Sequence, residues 1–452
     1  MTASDALGQH RFGYGPRAGR LPARTLAEQA GRPMQMARVF PVPDTAAVLA
    51  LRAEWREIIR QHEPESPPAR EARRRMREAA NVLVMKNAGL ELARAVRTED
   101  PFAERLVRFW ADHFTVRAGN PEGRLMISAF ADDAIRPHVA GRFGDLLRAA
   151  VLHPAMLGSL DQVTSVGPSS PMGIRRNRGL NENLGRELLE LHTLGVGAAY
   201  SQADVRQAAL LLTGLAVDGV RGTVFDPRRA EPGAETVLGR RYGGDGKARI
   251  EDVHQLLADL AAHPATARHL CGKLAVHFVS DNPDPALVAD LTAVWTRTDG
   301  DLLAVSRALV AHPAANRPAL EKARQPFDFI VCALRALGIK GESVAEWDSR
   351  TLRRVALLPM AGMGQRWQTP KGPDGWEEAL AHWITPQALA TRIDWAMHMP
   401  ARLRPDLPDA RAFVDEALAG LADDDLRRVV LRAERNAEGV GLVLASPAFN
   451  RR

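Results

Sequence analysis

Residues 161–196 read DQVTSVGPSSPMGIRRNRGLNENLGRELLELHTLGV, a polar loop running into a patterned helix. At about 100° per residue, Leu184, Leu188, Leu191 and Leu194 share one arc. That period belongs to a helix packed on one side, and it recurs along most of the chain. The class it predicts is all-α, or mainly α: a large multi-helix array. Glu187 falls inside the leucine arc. A carboxylate there must be hydrogen-bonded, paired, protonated or metal-bound, because an isolated buried charge is too costly. Glu190 lies at the edge of the arc, and Glu182, Arg186 and Glu190 form a row that ordinary surface ion pairs explain. His192 sits in the last turn before Gly195, where a cation suits the helix dipole and glycine suits a left-handed cap.

Ahead of this helix, residues 163–180 show no periodicity. Unstructured loops of such length inside a compact domain tend to be lids, binding loops or disordered segments. Gly167-Pro168-Ser169-Ser170-Pro171 restricts the backbone, and Arg175, Arg176 and Arg178 load its end with positive charge. The N-cap of the following helix is expected at Asn181 or Asn183. Free N–H groups and guanidinium groups together suit an anion. A solvated basic loop that only satisfies Glu182 and its neighbours would carry the same residues.

The chain of 452 residues is long enough for one large helical domain or for two lobes. Hydrophobic content of 46% with 25% charged residues is that of a globular protein in water. The net charge of +6 comes almost wholly from arginine, and only 5% of residues are aromatic. A nucleic-acid surface needs a basic stripe interleaved with aromatics, so no nucleic-acid partner is expected. Cys271 and Cys332 each lie in an apolar helical run and read as buried thiols without zinc spacing. No apolar window is long enough to span a bilayer. The stretch MTASDALGQHRFGYGPRAG lacks the two-part pattern of a signal peptide, which places the chain as written in the cytoplasm. The alternative is export, with a leader removed or on a partner's signal.

Asp100-Pro101 reads as an N-cap with proline at the first helical position, opening the helix PFAERLVRFWADHF. Phe102, Leu106, Phe109, Trp110, His113 and Phe114 share one face, with Arg105, Arg108 and Asp112 elsewhere. His113 therefore points into the core, as a satisfied core residue or as a ligand. His153-Pro154-Ala155 recurs as His263-Pro264-Ala265 and His312-Pro313-Ala314, with Ser446-Pro447-Ala448 near the end. Their irregular spacing marks a recurring helix corner and not a solenoid repeat. Leu215-Ala216-Val217 and Thr223-Val224-Phe225 flank Asp218-Gly219, which predicts a small β-hairpin insertion near 215–225. The loop 226–247 contains GGDGK, but the glycine spacing and following residue of a phosphate loop are missing. In the helix that follows, His269, Lys273 and His277 share a face and read as structural. Residues 340–383 form the second long irregular region, with Trp367 and Trp376 among glycines and prolines. The expected organisation is one helical domain over 1–452. If it divides, the pieces are an N-terminal lobe 1–214, a hairpin insertion 215–250 and a C-terminal lobe 251–452.

Several stretches together resemble bacterial domain-of-unknown-function family 1800. They are FWADHF at 109–114, HPAML at 153–157, LDQVTSVGPSS at 160–170, GLNENLGRELLELHTLGV at 179–196, HPATARHLCGKLAVHFVSD at 263–281 and LASPAFNRR at the C-terminus. The resemblance implies an uncharacterised, mostly helical protein and names no reaction or cofactor. Relatives typically carry Trp where this chain has Leu215 and often His where it has Ala230, which implies an altered member if that histidine serves a site. Relatives are often exported and lie beside genes for a sulfatase-like secreted family.

The functional expectation is a polar pocket under the 163–180 loop, in an enzyme or a metal- or anion-binding protein. Glu187 would be general base or metal ligand and His113 its partner, with Arg175, Arg176, Arg178, Arg186 and Asn181 holding an anionic group. Metal-ligand candidates are Glu187, Glu190, His113 and His192; no cofactor and no small-molecule ligand can be named. The alternative is a non-catalytic helical partner or maturation factor for a neighbouring sulfatase-like protein.

Overall fold

The computed structural model describes residues 3–176 and 179–452, and it is mainly α with two small two-stranded sheets. A polar residue followed by proline opens one helix after another. Asn120-Pro121, Asp284-Pro285, Thr385-Pro386 and Ser446-Pro447 each put a side-chain acceptor at the N-cap and proline where no N–H is needed. The His-Pro-Ala corners do the same with an imidazole. Nδ1 of His153, His263 and His312 accepts from the N–H of Ala155, Ala265 and Ala314, each at 3.1 Å. Asp100 departs from the expected cap. Its carboxylate is held by Arg24 and Arg32, both at 3.3 Å, and Gln29 Oε1 takes the Phe102 N–H instead, at 3.1 Å.

Six helices position the site: α1 (Pro67–Arg97), α2 (Pro101–His113), α3 (Pro121–Phe130), α4 (Asn183–Glu190), α5 (Pro264–Phe278) and α6 (Pro326–Ala336). Two large apolar cores hold them, with a smaller cluster of Val84, Leu125 and Met126 between α1 and α3. The first gathers Phe102, Leu106, Trp110, Leu188, Leu270 and Phe278 with their neighbours. The second is built on Leu92, Phe329, Ile330, Leu352, Trp395 and Val440. Helix α2 lies along the seam between them. Its aromatic face enters the first core; on the other side Arg105 and Arg108 reach Asp328 and Phe327 of α6, and Glu104 lies against Arg136, so Glu104 and Arg105 are buried as well. That second burial is matched by ion pairs. Arg136 grips Glu104 at 2.7 and 3.1 Å, and Arg94 grips Asp132 at 2.8 Å through both nitrogens. Bidentate geometry is what lets such charges lie inside at tolerable cost.

The expected hairpin is present, β1 (Leu215–Asp218) against β2 (Gly222–Phe225), with Leu215 opposite Phe225. A second hairpin, β3 (Ala234–Val237) with β4 (Arg240–Gly243), occupies part of the stretch read as loop 226–247. Its turn is Leu238-Gly239, both at positive φ, and a leucine at the first turn position hides the usual Asn-Gly signal. The 163–180 loop likewise holds a short helix, Pro171–Arg176, where Ser170 Oγ accepts from Gly173 N at 3.0 Å. Helix α4 begins at Asn183 without a side-chain cap of its own; Asn181 Oδ1 instead accepts from Asn183 N at 2.9 Å. Among the described residues no helix is long and apolar enough to cross a membrane.

Candidate functional site

A cavity of about 150 Å³ opens along the seam, between α2, α3 and α6 and beneath the 365–376 loop. Pockets commonly form where two packed units meet, because neither core can fill the junction with its own side chains. Arg108, Asp112, His277, Asp328, Gln365 and Trp376 are among its walls. Arg108 and Asp112 lie one turn apart on α2, so both aim across the seam.

Arg108 differs from the buried arginines of this wall, Arg94, Arg105 and Arg136. Its guanidinium lies 3.5 Å above the centre of the Phe327 ring, a stacking worth on the order of 1 kcal/mol. Among the described residues it makes no hydrogen bond and has no carboxylate within 4 Å. Arg94 and Arg136 are matched to carboxylates, and Arg105 reaches Asp328 at 3.6 Å and the Arg11 carbonyl at 2.5 Å. Arg366, exposed at the rim, likewise has no carboxylate partner among the described residues.

Asp112 accepts the Trp376 N–H, which lies 3.2 and 3.1 Å from its two oxygens. Burial is the main reason its pKa rises to about 7; Glu378 pushes the same way, while the Trp376 N–H, Lys273 and Arg108 pull back. The contact needs glycine at 375. A Cβ there would stand 2.7 Å from Asp112 Oδ2, and φ is +88°. Beside Asp112, His277 Nδ1 and Glu378 Oε1 are 2.5 Å apart. His277 Nε2 faces the guanidinium groups of Arg105 and Arg452, each at 3.4 Å. Guanidinium only donates, so Nε2 accepts and Nδ1 carries the proton given to Glu378. Burial would raise the Glu378 pKa, yet His277, Lys322 and Lys273 together hold it below the ordinary range. A carboxylate–histidine pair of this kind fixes the tautomer and orientation of the ring.

The residues singled out from sequence fall into three places. His113 is buried, with Nε2 3.3 Å from the His192 carbonyl, and the two rings are 6.1 Å apart. Burial holds both imidazoles neutral, His192 at about 3 and His113 well below the usual value, and Lys273 adds to each shift. Glu187 is half-buried on α4; burial raises its pKa first, then Glu190 and Asp374, with Arg186 opposing. Glu190 is half-buried too, and Arg186 is engaged with Gln202 at 3.2 Å and Glu182 at 3.5 Å. Asn181 is tied into the loop through Ser165, whose Oγ accepts its N–H at 3.1 Å. Arg175 and Arg176 are exposed, and Arg178 lies outside the described residues. Among the described residues no group of three or more His, Cys, Asp or Glu side chains is placed to hold a metal ion. Leu215 and Ala230 are buried beside Gly214 and do not line the seam cavity.

In the sequence, Arg108 and Asp112 fall off the apolar face, and Lys273 and His277 fit a structural role. The available signal was a pair of opposite charges one turn apart on a helix whose remaining faces are apolar. The DGWEE stretch at 374–378, which supplies the loop contacts, has no periodicity to mark it.

No curated protein and no solved structure matches the chain. A family match covers residues 9–451, nearly the whole chain, and its seam-lining stretches FWADHF and HLCGKLAVHF fall within it. The chain therefore belongs to the family described as Protein of unknown function (DUF1800).

Proposed function

We propose that this chain binds a small anionic molecule in the seam cavity, with Arg108 as the anion's partner and Asp112 as the group that exchanges a proton with it. The observation carrying this reading is the unpaired Arg108 guanidinium, one turn from a carboxyl with a pKa of about 7. A group titrating near neutrality can act as general acid or base under physiological conditions. The volume, about 150 Å³, admits a molecule of roughly benzene's size. Phosphate, malonate and benzoate are suitable probes. His113 and Glu187 are not among the cavity's walls; they feel the charges of Lys273 and Asp374 respectively.

Calorimetric titration with the three anions tests the reading, on the wild type and on Arg108→Met, which keeps an apolar stem over Phe327. Binding weakened at least about tenfold in the variant is expected, from the loss of one charge-assisted contact. Equal affinity in both proteins, or no binding of any probe by the wild type, overturns it.

A second reading is a non-catalytic partner of a sulfatase-like protein. Ile174 is 73% exposed on the short helix that also carries exposed Arg175 and Arg176, and such a side chain suits a docking contact. Co-purification with a sulfatase-like protein that is lost in Ile174→Asp would support it; recovery unaffected by the change would remove it.

A further inference from the structure

Two lysines lie within the fold, and they are held differently. Lys322 Nζ contacts Asp281, the Glu378 carbonyl at 2.5 Å and the Glu378 carboxylate at 3.6 Å. Such pairing keeps a buried ammonium charged. Lys273, on α5, has no carboxylate within 4 Å among the described residues, and its hydrogen-bond partner is His113 Nδ1 at 3.2 Å. Since His113 Nε2 donates to the His192 carbonyl, Nδ1 is left as an acceptor. The amine therefore meets an imidazole lone pair where a buried lysine ordinarily meets a carboxylate.

The rest of its surroundings point the same way. His192 and His269 also stand close enough to feel its charge, and burial keeps both neutral, at about 3 and about 4. Asp112 on α2, with Asp374 and Glu378 on the covering loop, are the carboxylates that face the amine at longer range and favour its charged form. Burial outweighs them, and the Lys273 pKa is lowered. Asp112, itself protonated over much of the neutral range, offers the ammonium less support than three full carboxylates would. Only six of the chain's 60 basic residues are lysines. Arginine at 273 could never present a free amine, whereas a desolvated lysine can. The side chain is partly exposed, so a small molecule can reach it.

We infer that Lys273 is a nucleophilic amine that condenses with a small aldehyde or ketone, with His113 receiving the amine's proton. The Nζ lone pair adds to the carbonyl carbon and the carbonyl π electrons move to oxygen. His113 Nδ1 takes the N–H proton and the alkoxide is protonated from solvent, giving a carbinolamine. The His113 imidazolium returns its proton to the hydroxyl, and the nitrogen lone pair expels it as water, leaving an iminium bond and a neutral His113. The inference does not rest on the seam cavity binding an anion; failure of the Arg108 test leaves it standing.

Reductive methylation of the full chain with formaldehyde and cyanoborohydride tests it, the modified lysines being mapped by peptide mass spectrometry across a pH series. Lys86, Lys247, Lys340 and Lys371 are exposed and act as internal standards, and Lys322 as the paired, buried comparison. Near pH 7, Lys273 is expected to react faster than the four standards, by about tenfold for each pH unit its pKa lies below theirs. The advantage should fade as the pH approaches the ordinary lysine range. Labelling of Lys273 no faster than the standards, or its absence while they react, overturns the inference. The wild-type pH–rate profile suffices, so the test does not depend on a variant that folds.

Discussion

Replacing Asp112 with asparagine should change how stability depends on pH, with a sign opposite to that of a paired surface carboxylate. Asp112 goes from the ordinary aspartate value of 3.8 to about 7 in the folded chain, chiefly through burial. Between those values the folded protein binds a proton that the unfolded chain has lost, so stability falls as pH rises through this window and levels off above 7. Integrated from pH 5 to pH 8, one such group removes roughly 2–3 kcal/mol. Asparagine keeps the oxygen that accepts the Trp376 N–H and cannot ionise. The variant should therefore gain roughly 2–3 kcal/mol on the wild type between pH 5 and pH 8. Urea unfolding of both proteins at four or five pH values measures this, and every other carboxylate cancels in the difference. Parallel stability profiles would refute the reasoning, as would a wild type that gains on the variant as pH rises. Either result would mean that the Trp376 N–H, Lys273 and Arg108 stabilise the carboxylate at least as much as burial opposes it.

Other perturbations probe the neighbouring groups. Gly375→Ala puts a Cβ 2.7 Å from Asp112 Oδ2 at a φ of +88°, and should lower stability by about 1–3 kcal/mol and weaken anion binding as the loop shifts. Thermal unfolding measures the first effect and calorimetry the second. Glu378→Gln leaves Lys322 with one carboxylate fewer and should cost about 3 kcal/mol at neutral pH. Because the Glu378 pKa is held low, its contribution is present above the ordinary glutamate range and lost as pH falls. Denaturation should accordingly show the gap between wild type and variant closing in acid. Cys271 and Cys332 are buried, and burial pushes the Cys271 thiol up to about 12. A disulfide-exchange reagent at pH 8 should find neither thiol in the folded chain and both in denaturant.

Helix α2 separates what was legible in sequence from what was not. Its aromatic stripe was readable because apolar residues three and four apart can only line one face, and all six stripe residues are buried. Arg105 and Glu104, off that stripe, should by the same logic face water; they are buried because Asp328 of α6, more than 200 residues later in the chain, meets Arg105, and Arg136 closes over Glu104. Periodicity reports that a face is apolar and is silent on a polar face buried against matched charges. The 163–180 loop and Glu187 drew notice through local density of charge and an out-of-place carboxylate. Lys273 and Glu378 carry no such local mark, and Arg108 and Asp112 carry only that of two opposite charges one turn apart.

Short-range chemistry determined this chain's class, its helix corners and its first hairpin, because helical period, proline at the first turn and a capping side chain act within a few residues. The seam cavity, the lone guanidinium and the lysine facing an imidazole were decided only when distant helices packed. A side chain's solvation and pairing, and hence its charge, depend on what packs against it, and no spacing along the chain encodes that.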